Sequence, residues 1–316
     1  MKLFRNLPAA PKRGPCVLTI GNFDGVHRGH QAVLGNLKRI ALHSNLPMNV
    51  LTFEPQPREF FASIGKGVAP ARIQSLRDKA CALQNQGISQ LGVLDFGARW
   101  AQMPAETFIE DYLVRGLQIK HLFIGDDFHF GAQRRGNFEM LLAYGKRLGF
   151  GVERMPTLQD KGERVSSSAV RSALVAGNFA RAEELLGRPY AISGRVIHGR
   201  KLGRTLGFPT LNMRVPGASE QSGTPPLISG VFAVRIRHLN NAVLKGVASL
   251  GTRPAVEQHG RYLLETHVFE YTGNAYGKTL SIEFVAKLRD EANYTSLDAL
   301  TAQIASDAQH AKSILC

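Results

Sequence analysis

Residues 21–30 hold the densest set of reactive side chains in the chain: Gly21, Asn22, Phe23, Asp24, Gly25, Val26, His27, Arg28, Gly29 and His30. They follow the apolar run Val17-Leu18-Thr19-Ile20 and precede a stretch with helical spacing. A β-prone run that ends in a glycine-punctuated turn and then starts a helix gathers backbone N–H groups at the positive helix end, which makes an anion site. His27 and His30 stand three apart, near enough to share a helix face, and each can donate a hydrogen bond to a phosphate oxygen. An ordinary turn and a zinc site are the competing readings. The combination of glycines, Asp24, Arg28 and two histidines favours phosphate over a plain turn. Against zinc, no third ligand stands at a suitable spacing, and Cys16, Cys81 and Cys316 are scattered.

A second constellation is Val165-Ser166-Ser167-Ser168-Ala169-Val170-Arg171, at the head of a helical pattern. The serines can be ordinary N-caps, each worth about 1 kcal/mol. With Arg171 one turn on, the same residues also make an anion clamp. A third is the run 198–212, where Gly199, Gly203 and Gly207 alternate with Arg200, Lys201 and Arg204. Glycine permits close backbone approach and the cations supply charge, but the spacing of a P-loop is absent. Thr210 and Asn212 stand two apart, so an extended segment points both to one face, where a hydroxyl and an amide oxygen could hold magnesium and phosphate. A hairpin loop with a capping threonine is the alternative. Glu265 alternates with His267 and Phe269 on one face of a strand, either as a general base or as part of a solvated barrel surface.

These groups need elements to hold them. Strand-like runs at 16–20, 49–53, 91–94, 121–124 and 152–155 alternate with helical patterns at 31–42, 73–86, 105–113 and 138–148. Such βα alternation predicts a parallel sheet covered by helices, with ligands beyond the carboxyl ends of the strands, where 21–30 and 125–131 emerge. After residue 190 the texture becomes short β-rich runs at 191–196, 230–237, 242–249, 263–269 and 279–288, broken by Gly, Pro and Asn. That pattern predicts an antiparallel barrel or sandwich. A closing helix at 296–314 presents Leu297, Leu300, Ile304 and Ala308 for packing on it. The expected boundary separates 1–186 from 187–316.

At 316 residues the chain is long for one core, and 44% hydrophobic with 20% charged residues is an ordinary globular composition. The net charge of +14 is spread over both halves, so it attracts polyanions generally and does not select nucleic acid. No signal-peptide core and no apolar run of membrane-spanning length occurs, and the odd, scattered cysteines suit a reducing compartment; the expectation is a cytoplasmic protein with no membrane or nucleic-acid partner.

The motifs GNFDGVHRGH (21–30), LTFEPQP (51–57), IGDDFHFG (124–131), VSSSAVRSAL (165–174), HGRKLGRTLGFPTLN (198–212), GVASLGTRP (246–254), LETHVF (264–269) and KLRDE (287–291) occur in one order along nearly the whole chain. In these the chain resembles the bacterial bifunctional riboflavin kinase/FMN adenylyltransferases. The resemblance implies a nucleotidylyltransferase-type, Rossmann-like α/β domain followed by a six-stranded antiparallel β-barrel with a C-terminal helix. It implies that riboflavin and ATP give FMN in the second domain, and that FMN and a further ATP give FAD and pyrophosphate in the first, with Mg2+.

By the same resemblance, His27 and His30 stabilise charge on ATP while Ser166, Ser167, Ser168 and Arg171 hold the departing pyrophosphate. Gly21, Asn22, Phe23, Asp24 and Gly29 form the loop around them, and Asp126 and Phe128 belong to a flavin and nucleotide segment. Phe128 could equally be core. Glu265 is implied as the base of the kinase step, Thr210 and Asn212 as magnesium and ATP residues, and Gly199, Lys201, Gly203 and Gly207 as the loop beside them. Arg289 and Asp290 fall on the flavin side. Departures from the family pattern are Gln56 in place of a frequent histidine, Ser168 for threonine, and Ser249, Ala255 and Asn274-Ala275. Gln56 removes a titratable group. The alternatives weighed are an enzyme acting on another small metabolite, an RNA-binding module, and a regulatory flavin-binding protein with one inactive site.

Overall fold

The computed structural model describes residues 1–6, 14–125, 128–155, 158–199, 202–215, 225–239, 242–252 and 262–316. They form two compact units: Met1–Pro70 with Lys79–Ser166, and Ala71–Asp78 with Ser167–Cys316.

The first unit is built on six strands, β1 (Lys2–Arg5), β2 (Cys16–Ile20), β3 (Met48–Phe53), β4 (Gln90–Leu94), β5 (Ile119–Gly125) and β6 (Gly151–Met155). They lie in the order β1-β4-β3-β2-β5-β6, and every pairing is parallel. Every residue of β2 is buried, as a central strand covered on both faces must be. β3 and β4 lie to one side of β2 and β5 to the other, so the order reverses between β2 and β5. That is the switch point where open α/β sheets bind ligands.

Among the described residues the helices that accompany the strands are α1 (Arg28–Ser44), α2 (Pro57–Ser63), α3 (Leu76–Asn85), α4 (Ala98–Ala101), α5 (Ala105–Thr107) and α6 (Phe138–Leu148). α1 turns Leu34, Leu37 and Ala41 inward, and α6 ends at Gly149 in the left-handed region. The helix expected over 105–113 is corrected by the structure. α5 runs directly into a π-helix, Phe108–Gly116, which closes with a wide bond from Leu117 N–H to Tyr112 O of 2.9 Å and buries Phe108, Ile109, Leu113 and Gly116. β1 was not expected. Four residues with a cation at each end carry no apolar period, yet they extend the sheet beside β4.

A short hairpin, β7 (Gln159–Asp160) and β8 (Glu163–Arg164), leads to α7 (Ser167–Val175) and α8 (Phe179–Leu186). The second unit then closes a six-stranded antiparallel barrel from β9 (Ala191–Ile197), β10 (Leu211–Arg214), β11 (Gly230–Arg237), β12 (Leu244–Thr252), β13 (Tyr262–Val268) and β14 (Thr279–Arg289), in the order β10-β13-β12-β11-β14-β9. The one-turn helix α9 (Leu202–Thr205) separates β9 from β10. β10 is the strand that composition alone did not mark, since it is short and sits in the glycine-rich run. Closure leaves no free edge.

Phe232, Leu250, Leu264, Leu280 and Phe284 fill the barrel, and Phe179 of α8 packs on Phe232 and Phe284 with ring centroids 5.8 and 6.0 Å away. Burial of each such side chain contributes about 1.5–3 kcal/mol.

α10 (Leu297–Ile314) lies on the outside of the barrel, where Ala308, Ala311 and Leu315 meet Val231, Ala233 and Val247. Leu297 does not pack as expected; it is 59% exposed, and the buried contact with the barrel is made by Ala308, Ala311 and Leu315 at the other end of the helix. Beside the buried Ala308 and Ala311 the helix also buries Asp307, whose carboxylate takes a two-pronged hydrogen bond from Arg289, Nε to Oδ1 at 3.0 Å and Nη2 to Oδ2 at 2.7 Å.

Two outcomes are expected. Asp307→Ala should lower the unfolding free energy by about 2–3 kcal/mol, read from the urea midpoint, because it strands a half-buried guanidinium. Burial against Leu117 O pushes the Cys16 thiol up to about 12, so at pH 8 a thiol reagent should label exposed Cys81 and Cys316 in the folded protein and Cys16 only after unfolding.

Candidate active sites

The turn 21–30 leaves the sheet from the buried end of β2. The ladder closes with Gly21 N–H to Leu51 O at 3.1 Å, and the Thr52 hydroxyl then donates to Asn22 O at 3.3 Å. Phe23 and Val26 adopt positive φ, 48° and 41°, beside Gly25 at 88°. A left-handed valine or phenylalanine costs on the order of 1–3 kcal/mol and persists only where the surroundings impose it. Here both are buried, and Gln31 Nε2 donates to Val26 O at 2.9 Å.

The helix expected from residue 31 starts three residues earlier, because His27 caps it: its Nδ1 accepts the backbone N–H of His30 at 3.3 Å. Since Nδ1 accepts, the proton of a neutral His27 resides on Nε2, which is a donor. The rings of His27 and His30 stack at 3.7 Å, and Phe23 packs against His30 at 4.9 Å. A side chain at Gly29 would start 3.0 Å from both His27 Nδ1 and Val165 O, so glycine lets the histidine and the Val165-Ser166 backbone approach.

Asp24 is buried within the turn, and exposed Arg28 pairs with Asp160. The expected phosphate residues Gly21, Asn22, His27, Gly29 and His30 are thus gathered at the switch point, and Ser166 follows the residue that abuts Gly29. Ser167, Ser168 and Arg171 lie on α7, where Arg171 Nε donates to Ala71 O at 2.7 Å. Phe128 is half-buried, packed on the core of the first unit and stacked on Phe130 at 5.6 Å. Asp126 lies outside the described residues.

In the barrel, strand register brings the second set together. Residues directly opposite across antiparallel strands share a face. Asn212 is opposite Ile197 and Glu265, Glu265 is opposite Ser249, Ser249 is opposite Val231, and Val231 is opposite Arg289. One outward row therefore carries Asn212, Glu265, Ser249 and Arg289. Asn212 is 4% exposed; its Nδ2 donates to Thr210 O at 3.3 Å and lies 3.5 Å from Thr210 Oγ1, while its Oδ1 has no hydrogen-bond partner among the described residues.

Gly199 makes room for that amide, since a Cβ there would fall 2.6 Å from it, and a Cβ at Gly203 would fall 2.4 Å from Phe208 O. Gly207 holds φ 84° between them and Thr210. His267 Nδ1 donates to Pro209 O at 2.9 Å, tying the loop to β13.

Arg289 spends its guanidinium on Asp307 and Asp290 O rather than on open space. The neighbour that sequence reasoning missed is Glu291. Its carboxylate lies over Gly251, and burial first, then the charge of Glu265, push it above the usual carboxylate range, against a hydrogen bond from Ser249 and the charge of Arg289. A glycine two residues after Ser249 on the same face was the available signal. Lys201 and Ala255 lie outside the described residues, and no cluster of three His, Cys, Asp or Glu suited to a metal ion occurs among the described ones.

The FAD synthetase family matches residues 9–169 and the riboflavin kinase family residues 186–315. Bifunctional riboflavin kinase/FMN adenylyltransferases from Haemophilus influenzae and Escherichia coli K12 are each 46% identical to the chain, covering 99% and 97% of it and 98% and 96% of their own lengths. The Pseudomonas fluorescens protein of that name is 42% identical over 99% of the chain and 98% of its own. The solved structure of a macrolide-efflux protein from Streptococcus pneumoniae is similar over 97% of each chain, with a TM-score of 0.78 and 25% identity. Two family matches on two differently built units, with relatives alike from end to end, lead to one conclusion: the chain belongs to the bifunctional riboflavin kinase/FMN adenylyltransferase family.

Proposed function

We propose that this chain makes FAD from riboflavin in two ATP-dependent steps, with residues 187–316 carrying the kinase and residues 1–186 the adenylyltransferase. The observation that supports the reading most is the presence, in one chain, of a histidine-capped turn at the switch point of a parallel sheet and of the Asn212–Glu265 row on a closed barrel.

In the kinase step Glu265 accepts the proton of the ribityl 5′-hydroxyl as that oxygen bonds to the γ-phosphorus of ATP, and the bond from that phosphorus to the departing ADP oxygen breaks. Thr210 Oγ1 and Asn212 Oδ1 would hold a magnesium ion. Both are hard oxygens of the kind this cation takes, and the buried Oδ1 has a lone pair to give it. Bound there, the ion supplies neutralisation of phosphate charge. Gly199, Lys201, Gly203 and Gly207 form the loop over the phosphates.

In the second step an oxygen of the FMN phosphate attacks the α-phosphorus of ATP and pyrophosphate leaves, with no protein nucleophile. Positioning and charge neutralisation then account for the catalysis. His27, through Nε2–H, and His30 donate to the phosphates; Gly21, Asn22, Phe23, Asp24 and Gly29 shape the turn that presents them. Ser166, Ser167, Ser168 and Arg171 take the pyrophosphate, and Asp126 and Phe128 the flavin side. In this reading Arg289 acts by fixing α10 to the barrel at the other end of the row that carries Glu265. Among the described residues no helix is long and apolar enough to cross a membrane. All three cysteines are free thiols, which supports a reducing, cytoplasmic setting.

The two steps should separate by mutation. Glu265→Ala should lower riboflavin phosphorylation by about 10²–10⁴-fold while FMN is still converted to FAD, and His30→Ala should do the reverse with a loss of about 10²–10³-fold. Separation of the flavins after incubation with ATP and magnesium reads both. Equal loss of both steps in a folded Glu265→Ala protein would overturn the assignment of the base.

A further inference from the structure

Among the described residues, one of the largest fully buried side chains belongs to a lysine. Lys79 is 1% exposed, on the same inward face of α3 as Leu83, four residues on. Lysines are almost never buried so completely unless the ammonium has a task that offsets its desolvation. Its Nζ donates to Thr52 Oγ1 at 3.5 Å, and that hydroxyl, on a residue 0% exposed, donates in turn to Asn22 O.

Asn22 is where the β2–β3 ladder has just ended, at Gly21 N–H to Leu51 O, and where the left-handed residues Phe23 and Val26 are about to begin. The turn is therefore held at both ends, by Thr52 at Asn22 O and by Gln31 at Val26 O. The first of these holds is backed by a formal charge, the Lys79 ammonium. An ammonium lying two hydrogen bonds below the turn polarises the hydroxyl that grips it.

We propose that Lys79 is a positioning residue for adenylyl transfer, acting through Thr52 to fix the Asn22–His27 turn against the phosphates. This rests on the reading of that turn as the adenylyl-transfer site. Sequence motifs do not point to it, because a lysine inside a helix reads as a solvated one until its burial is seen.

The bifunctional chain supplies its own control, since riboflavin phosphorylation is carried by the other unit. In the full-length protein Lys79→Met should lower kcat for conversion of FMN to FAD by about 10²-fold with the KM for FMN unchanged, the size of effect expected from a small misplacement of the reacting groups. Riboflavin phosphorylation should stay at the unsubstituted rate. Thr52→Val, which keeps the shape and removes the hydroxyl, should reproduce the loss, Thr52→Ser should largely restore the rate, and the double variant should be no worse than either single one.

Adenylyl transfer within threefold of normal in Lys79→Met, or losses that multiply in the double variant, would overturn the proposal. If Lys79→Met loses both activities through unfolding, Thr52→Val decides: full activity there overturns it, and a selective loss of adenylyl transfer supports it. His30→Ala run alongside separates the two levels. Should it leave adenylyl transfer intact, the reading of the turn fails; should it abolish the step while Lys79→Met does not, only the role of Lys79 fails.

Discussion

A strand buried on all sides cannot simply stop in the protein interior, because its last carbonyls and amides must find partners. β2 is such a strand, and the way it ends shapes the chemistry of the first unit. Gly21 takes the last ladder bond and the Thr52 hydroxyl takes the next carbonyl. The chain then reverses through two left-handed non-glycine residues into a helix capped by His27. The backbone groups released by that reversal, together with the two stacked imidazoles, all lie where the sheet changes direction. Satisfying the backbone and presenting donors to an anion are here one solution.

The barrel meets a different constraint. Closure sets every strand's register against two neighbours, and the alternation of side chains leaves one outward row in which Asn212, Glu265 and Ser249 are successive. Inward neighbours such as Leu264 and Leu250 are fully buried and anchor the register. A slip of one residue would send the polar row into the core. The polar positions are therefore as strongly specified as the apolar ones, although they contribute little packing of their own. The outer face is not bare either, since α10 covers its apolar part and the Arg289–Asp307 fork fastens the helix.

Much of this was readable from residue types. The βα alternation, the change to β-rich texture after residue 190, the histidine turn and the alternation around Glu265 are short-range patterns, and the structure has them where the residues indicated. What was not readable depends on partners far away in sequence. β1 is a strand only because β4 is beside it, and β10 hides among glycines that serve Asn212 and Phe208. The π-helical turn after Thr107 buries Phe108, Ile109 and Leu113, residues that an α-helical period also puts on one face, so the apolar pattern does not distinguish the two. Helical period puts Leu297 on the packed face, but period does not say which turns of a helix reach the barrel. The burial of Asp307 was hidden for the same reason, since its partner Arg289 is on another element.

The carboxylate of Glu291 occupies the volume that any side chain at Gly251 would need. The two positions are forty residues apart in sequence, yet they compete for one small space at the rim of the Asn212–Glu265 row. That carboxylate is the free end of a flexible, exposed side chain, so a residue introduced at 251 would be accommodated by swinging it aside. What the glycine secures is therefore a resting place: without a side chain at 251 the carboxylate can lie beside Ser249 and share its hydrogen bond, which places a second acid next to Glu265.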